Sequence, residues 1–511
     1  MTETNPQPMN FKQIISFLIT PLVILFILLF ADFVPGKPQV TYTFCVALLM
    51  AVWWITEAVP LAVTSLLPVA LFPLFGIMNG KDVSSAYFND VIFLFMGGFM
   101  VALAMERWNL HRRIALNILS VTGVSPARIL LGFMISSFFL SMWISNTATV
   151  MMMLPIAMSI IKQLDDFMNN GGNSKFSVGL LLGIAYSASI GGMATLVGTP
   201  PNLSFIRIFH IYFPLAPEIS FSSWLIFAFP VSLILFAITW AFLFFVFRPT
   251  KGEWVAIDKN TFHLQLKEMG KADFEQKVVA WIFLLLALLW LLRVDLDFGN
   301  LVIPGWSRIF PQSTFINDGT VAIFMAVVLF LIPSRNHKGK TLLDWKTASG
   351  LPWQILLLFG GGFALATGIK ESGLSLWFGE NLAGLTALHP MLIILVVALV
   401  MTFLTELTSN TATTEMILPI VAGVAISSNL NPLLLMIPAT MSASMAFMLP
   451  VATPPNAIIF GTSRISVAQM ARSGLFLNLV GAVVIMLMMY YWGDVVFGID
   501  ADIAPDWLHL K

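Results

Sequence analysis

Apolar residues run along this chain in blocks of spanning length, separated by short polar turns. Such blocks lie near residues 14–33, 41–56, 61–77, 90–106, 176–208, 222–247, 278–296, 319–333, 353–370, 432–460 and 474–495. About 20 apolar residues cross hydrocarbon as a helix, so the pattern predicts about eleven transmembrane helices. The first block, Ile14 to about Phe33, is too long for a signal-peptide core and lacks a small-residue cleavage site, so it reads as a retained span. Residues 41–77 hold two short spans only if Thr56-Glu57-Ala58-Val59-Pro60 makes a tight turn, which gives Glu57 a structural part.

Two further apolar runs, 127–162 and 390–427, each carry Ser-Asn-Thr at the middle, from Ser145 and from Ser409, with a Leu-Pro seven residues beyond each Thr. These positions are 264 residues apart, as are "LFMGGF" from Leu94 and "LFGGGF" from Leu358. "GTPPN" from Gly198 returns as "ATPPN" from Ala452 at an offset of 254. Ordered motifs at nearly fixed spacing mark two copies of one unit behind extra front spans. Five predicted spans separate the two Ser-Asn-Thr runs. If each run dips in and returns as a re-entrant hairpin, the odd number makes the repeat inverted, the architecture of secondary transporters. Full crossing by both runs would also preserve the inversion. The expected organisation is therefore an all-α polytopic membrane protein. Residues 1–89 form the front spans. Residues 90–248 are repeat 1, with a hairpin at 127–162 and a broken helix at 176–208. A cytoplasmic loop occupies 249–277, and 278–511 are repeat 2, with a hairpin at 390–427 and a broken helix at 432–460.

Composition agrees: of 511 residues, 58% are hydrophobic and 10% charged, against about 25% charged in soluble domains. Lys plus Arg equals Asp plus Glu at 26 each, which gives no basis for a nucleic-acid partner. With the N-terminus cytoplasmic, eleven crossings place Arg107, Arg112, Arg113, Lys251, Lys259, Lys267, Lys271, Lys277, Arg335, Lys338, Lys340, Lys346, Arg464 and Arg472 inside. The outer loops keep mainly Lys37, Arg207, Arg308 and Lys370. The positive-inside rule thus favours an inside N-terminus and an outside C-terminus. Cys45 stands alone and reads as a small packing residue.

Polar tips inside hydrocarbon are costly unless they line a cavity. Ser, Asn and Thr favour the position just before a helix, so each tip would aim a helix N-terminus inward, with the helix following at Ala148 to Leu154 and at Ala412 to Leu418. Paired prolines forbid a continuous helix, leave free carbonyls before Pro200 and Pro454, and start new helices after them. Four half-helix N-termini would converge. That suits an anion without any Lys or Arg, and neither motif segment contains one. The freed carbonyls and side-chain oxygens supply hard ligands for a small cation. A neutral site for both signs is what anion–cation symport requires. Glu406 and Glu415 flank the second motif only, opposite Met142 and Met151, and fit either a hydrogen-bonding or a coupling role. Gly97, Gly98 and Gly360 to Gly362 fit close helix approach. The six His residues (111, 210, 263, 337, 389, 509) fall at span ends or in loops, so no Ser-His nucleophile forms at the tips and the chain does not read as an enzyme. An ion channel remains the rival of another class, because filters also use unwound carbonyls.

At these residues the sequence resembles the divalent anion:sodium symporter family of dicarboxylate and citrate carriers. The resemblance implies that Ser145, Asn146, Thr147 and Thr199 with Ser409, Asn410, Thr411 and Thr453 contact the substrate carboxylates. It implies sodium sites built from Ser141, Ser145, Asn146 and Gly198 in one half and from Thr405, Thr408, Asn410 and Ala452 in the other. Na⁺ is then the coupling ion, with no other cofactor. A small dicarboxylate (succinate, malate, fumarate) is the substrate, a bacterial inner membrane with its lipids the setting, and the implied assembly a homodimer working as an elevator, with residues 1–89 serving mainly as scaffold and for dimerisation. Within the family, a dicarboxylate exchanger and a tricarboxylate or sulfate carrier stay open.

Overall fold

The computed structural model describes residues 11–168, 174–249, 261–297, 302–382, 389–500 and 503–509. Lys251 and Lys259 of the expected cytoplasmic loop lie outside them. The described residues are mostly helical. The front comprises α1 (Phe11–Phe30), α2 (Pro38–Thr56), α3 (Leu61–Thr64), α4 (Leu67–Leu74), α5 (Gly80–Ser85), α6 (Asp90–Arg107) and α7 (Leu110–Thr122). Next come α8 (Pro126–Ser141), α9 (Asn146–Met168), α10 (Lys175–Met193), α11 (Pro200–Tyr212) and α12 (Phe221–Phe247). The middle holds α13 (Thr261–Glu268), α14 (Phe274–Leu291), α15 (Asp318–Leu331), α16 (Trp345–Ala348), α17 (Trp353–Ser372) and α18 (Leu374–Asn381). The chain then forms α19 (Pro390–Thr405), α20 (Asn410–Ser427), α21 (Leu433–Ala443), α22 (Pro454–Phe460) and α23 (Val467–Phe497). A two-residue ribbon, β1 (Leu296–Asp297) against β2 (Val302–Ile303), pairs Leu296 with Ile303, and Pro333 and Thr341 form an isolated antiparallel bridge.

Among the described residues nine helices are long and apolar enough to cross a membrane. They are α1, α2, the α5–α6 run, α9, α10, α12, α14, α17 and α23. The count differs from eleven for local reasons. The block at 61–77 splits into α3 and α4, and the block at 319–333 yields the shorter α15. The two Pro-Pro blocks break, while α9 runs on through Pro155 to reach spanning length. Polar punctuation sets many starts: Asn89, Ser174, Ser220, Asp273 and Asn317 each accept a backbone N–H of the helix that follows, and Ser466 forms a capping box with Gln469. Glu57 ends α2 in the left-handed region (φ 49°) and its carbonyl accepts from Gln13, the turn that lets α2 give way to α3.

Burial sorts the helices. Only 11% of the apolar window of α1 is buried inside the protein, against 100% of that of α10. Without a hydrophobic drive between helices in lipid, such central packing depends on small residues. Gly179, Gly183, Ser187 and Gly191 recur every four residues along α10. A Cβ on Gly191 would collide with the Phe138 carbonyl of α8, so the stripe lets those two backbones touch. Gly97 does the same for α6 against the Ala322 backbone of α15. Cys45 is buried beside Ile24 and Leu49, as an apolar filler would be.

Candidate functional site

Each Ser-Asn-Thr sits at a break between two helices: α8 stops at Ser141 and α9 starts at Asn146, α19 stops at Thr405 and α20 starts at Asn410. Ser145 accepts the Ala148 N–H at 3.2 Å, a helix cap made by its side chain. Ser409 has an extended backbone (φ −65°, ψ 131°) and makes no such bond. Ser145, Asn146, Thr147, Ser409 and Asn410 are half-buried, while Thr411 is buried. The helices behind the tips are longer than the runs to Leu154 and Leu418, because Pro155 and Pro419 lie inside them.

The Thr-Pro-Pro-Asn segments also break helices. α10 ends at Met193 and α11 begins at Pro200, while α21 ends at Ala443 and α22 begins at Pro454. Thr199 (φ −146°, ψ 140°) and Thr453 (φ −141°, ψ 150°) hold the same extended N-cap geometry, both buried. The prolines occupy the first helical turn, where their missing N–H costs nothing. Thr453 caps through the Asn456 N–H at 3.3 Å; Thr199 makes no side-chain cap.

Unwinding frees carbonyls, and two asparagines collect them. Asn202 Nδ2 lies 2.7 Å from the Thr195 carbonyl and 3.3 Å from those of Gly192 and Met193. Asn456 Nδ2 donates to the Ala446 carbonyl at 2.9 Å and the Leu449 carbonyl at 3.0 Å. Both asparagines are fully buried. Sequence reasoning quoted these residues without giving them a part. Their signal was present: an amide directly after the paired prolines in both copies.

Oxygens crowd together in each half. In the first, the Ser141 hydroxyl donates to Asn146 Oδ1. A Cβ on Gly192 would meet Asn146 Oδ1 and the Gly198 carbonyl, and one on Gly198 would meet the Gly192 and Ser141 carbonyls. In the second, the Thr405 hydroxyl lies 2.8 Å from Asn410 Oδ1 and 2.7 Å from the Ala443 carbonyl. One proton cannot serve both oxygens, so this trio is richer in acceptors than in hydrogens. A small hard cation matches such a donor set. Thr408 is engaged with Thr413 and with the Leu404 carbonyl at 3.1 Å rather than with Thr405 or Asn410. Ala452 is buried and its N–H donates to the Leu449 carbonyl at 3.2 Å.

The two halves interlock. α9 packs on α22 and α11 packs on α20, so each tip helix lies against the half-helix led by the other repeat's Thr. The break before each tip is also tied to its unwound segment, by different chemistry. In repeat 1 the Thr195 hydroxyl donates to the Met142 carbonyl at 2.5 Å. In repeat 2 the equivalent positions are Leu449 and Glu406, and the polar group has changed sides. The Glu406 carboxyl accepts the Phe447, Met448 and Leu449 N–H groups at 2.7, 2.8 and 3.0 Å and the Asn478 amide at 2.7 Å. Of the two parts open to Glu406, the hydrogen bonds supply the structural one. Glu415, also buried, accepts from Ser204 at 2.5 Å. A cavity of about 310 Å³ lies away from the tips, lined by Asp90, Arg207, His210, Glu218 and Asp318 among others.

The comparisons with known proteins come from three sides. A family model described as "Sodium:sulfate symporter transmembrane region" matches residues 11–499. The chain is 45% identical over 503 residues to a protein named "Sodium-dependent dicarboxylate transporter SdcS" from Staphylococcus aureus (strain NCTC 8325 / PS 47), covering 97% of this chain and 94% of that one. It is 45% identical over 501 residues, with the same coverage, to the protein of that name from strain bovine RF122 / ET3-1. Among solved structures it resembles the Alcanivorax borkumensis YdaH transporter, with a TM-score of 0.53 over 83% of this chain and 89% of that one. At 13% identity that likeness speaks for the fold alone.

Proposed function

The chain belongs to the sodium:sulfate symporter family, and on that premise we propose that it is an integral membrane carrier that couples Na⁺ entry to uptake of small dicarboxylates such as succinate, malate and fumarate. The observation that carries the reading is the pair of acceptor-rich oxygen clusters, Ser141–Asn146 with Gly192 and Gly198, and Thr405–Asn410 with Ala443. Each includes the first residue of a helix, Asn146 of α9 or Asn410 of α20. Na⁺ fits clusters in which oxygen acceptors gather, and a carboxylate fits helix N-termini. The printed names of the relatives at 45% identity support sodium and dicarboxylate as the pair.

Na⁺ binds first at the two clusters. Ser141, Ser145, Asn146 and Gly198 serve one site, and Thr405, Thr408, Asn410 and Ala452 the other. Ion binding pins Asn146 and Asn410, the first residues of α9 and α20. It thereby orders the surface on which Ser145, Asn146, Thr147, Thr199, Ser409, Asn410, Thr411 and Thr453 receive the two carboxylates. Positive charge next to the dianion offsets the cost of taking it out of water. No covalent step is involved. We further infer eleven crossings and two re-entrant hairpins, with the N-terminus cytoplasmic and the C-terminus outside, in a bacterial inner membrane. In this reading residues 1–89 serve mainly as scaffold, and the hairpin-bearing parts of 90–248 and 278–511 move as an elevator in each protomer of a homodimer.

The test is uptake of radiolabelled succinate into liposomes holding the purified protein, with and without an inward Na⁺ gradient. Concentrative, Na⁺-dependent uptake that saturates supports the reading. Uptake that needs internal dicarboxylate and ignores Na⁺ would make the protein an exchanger, and flux at channel rates would make it a pore.

A further inference from the structure

Glu415 is a fully buried carboxyl one and a half turns into α20, among residues that are otherwise apolar or hydroxylated. Its Oε1 accepts from the Ser204 hydroxyl of α11 at 2.5 Å, and its Oε2 has no hydrogen-bond partner. Room for that second oxygen comes from α17, where a Cβ on Gly362 would overlap the carboxyl. A buried carboxyl in a membrane protein is expensive and needs a reason. Its place supplies one. α20 begins at Asn410 and α11 begins just after Thr199, so the bond joins the two repeats directly behind two of the residues proposed to hold the substrate. At the pseudo-symmetric positions stand Met151 and Ile458, an apolar pair, so only one of the two crossings between tip helix and half-helix carries this clasp.

We propose that Glu415 is a positioning residue: its hydrogen bond to Ser204, seated in the gap left by Gly362, fixes the spacing between the α20 and α11 N-termini, and it acts through its shape and acceptor oxygen rather than through charge. One hydroxyl and one glycine make a poor counter-environment for an ion, which in such a place would cost far more than a single hydrogen bond returns. They are sufficient for a group of carboxyl shape. The inference rests on the dicarboxylate reading above, because it concerns the substrate gap.

The test measures Na⁺-driven succinate uptake in proteoliposomes for wild type, Glu415→Gln, Glu415→Ala, Ser204→Ala and the double Ala variant, each checked for monodispersity and thermal unfolding. Glu415→Ala and Ser204→Ala are expected to raise the succinate KM about fivefold or more, the loss of one buried hydrogen bond. Maximal rate per folded protein changes by less than about twofold, and Glu415→Gln restores KM to within about twofold of wild type. The double variant goes no further than the worse single one. The inference is overturned if Glu415→Gln is as impaired as Glu415→Ala, since charge would then be required. It is overturned equally if both Ala variants keep the wild-type KM, or if they only lower stability and rate. A wild type without Na⁺-dependent uptake sinks the functional reading itself, and is told apart from these outcomes because it precedes any variant.

Discussion

Replacing Thr405 by Val removes one oxygen from the second cluster and almost nothing else. The side chain is fully buried, Val matches Thr in volume, and its hydroxyl stands 2.8 Å from Asn410 Oδ1 and 2.7 Å from the Ala443 carbonyl. One hydroxyl proton makes one hydrogen bond at a time, so the cost without sodium is that of one neutral bond, about 1 kcal/mol. With Na⁺ present the missing oxygen is a ligand to a charged group, worth roughly 1.5–3 kcal/mol. Na⁺ affinity falls by the difference between the two costs, roughly 0.5–2 kcal/mol, which at about 1.4 kcal/mol per decade raises the Na⁺ concentration for half-maximal uptake roughly 2- to 30-fold. Succinate uptake as a function of Na⁺ in proteoliposomes reads that shift, and thermal unfolding without Na⁺ reads the smaller structural loss. Thr405→Ser, which keeps the oxygen, should recover most of the Na⁺ affinity. If Thr405→Val folds and its Na⁺ dependence stays within twofold of wild type, Thr405 is not a sodium ligand and the cluster has been misread.

Ser141→Ala should weaken Na⁺ dependence in the same manner through the first cluster, since its hydroxyl donates to Asn146; an unchanged sodium titration would refute it. Glu406→Ala strands three backbone N–H groups and the Asn478 amide. At about 1–3 kcal/mol for each buried unsatisfied group, most folded yield should be lost on size-exclusion chromatography, with Glu406→Gln intermediate; a normally folded Ala variant would refute this. Gly191→Val forces side-chain atoms onto the Phe138 carbonyl, so α8 and α10 cannot pack and the protein should not accumulate in the membrane. Asp344, in the loop before α16, loses hydration by burial, but hydrogen bonds from Thr347 and the Arg107 guanidinium 2.8 Å away outweigh this and hold its carboxyl below the ordinary 3.8. A depressed carboxylate stabilises the fold above its unfolded value and stops doing so as pH falls through the folded one. The Tm gap between wild type and Asp344→Asn should therefore be full at pH 6 and close as pH drops below about 4; a gap independent of pH would refute the pairing.

Much of this protein was legible before any fold was known. Hydropathy dictated a helical membrane protein, since lipid leaves backbone groups no other partner. The 264-residue offset announced a duplicated unit, and the doubled Ser-Asn-Thr and Thr-Pro-Pro-Asn motifs pointed to broken helices, because Pro-Pro cannot continue one. What spacing cannot express is which surfaces meet. The packing of α9 on α22 and α11 on α20 arises only when both repeats fold together. So do Asn202 and Asn456, whose amides matter because unwinding strands carbonyls within their reach. Among the described residues nine long helices stand where hydropathy gave eleven blocks, because hydropathy averages over the breaks. Glu406 and Glu415 make the sharpest case. They are the same residue type, nine apart, one in the break after α19 and one on α20, and the sequence left both between two roles. Tertiary structure surrounds one carboxyl with N–H donors and gives the other a single hydroxyl and a glycine, because a buried group's part is set by neighbours that lie far away in the chain.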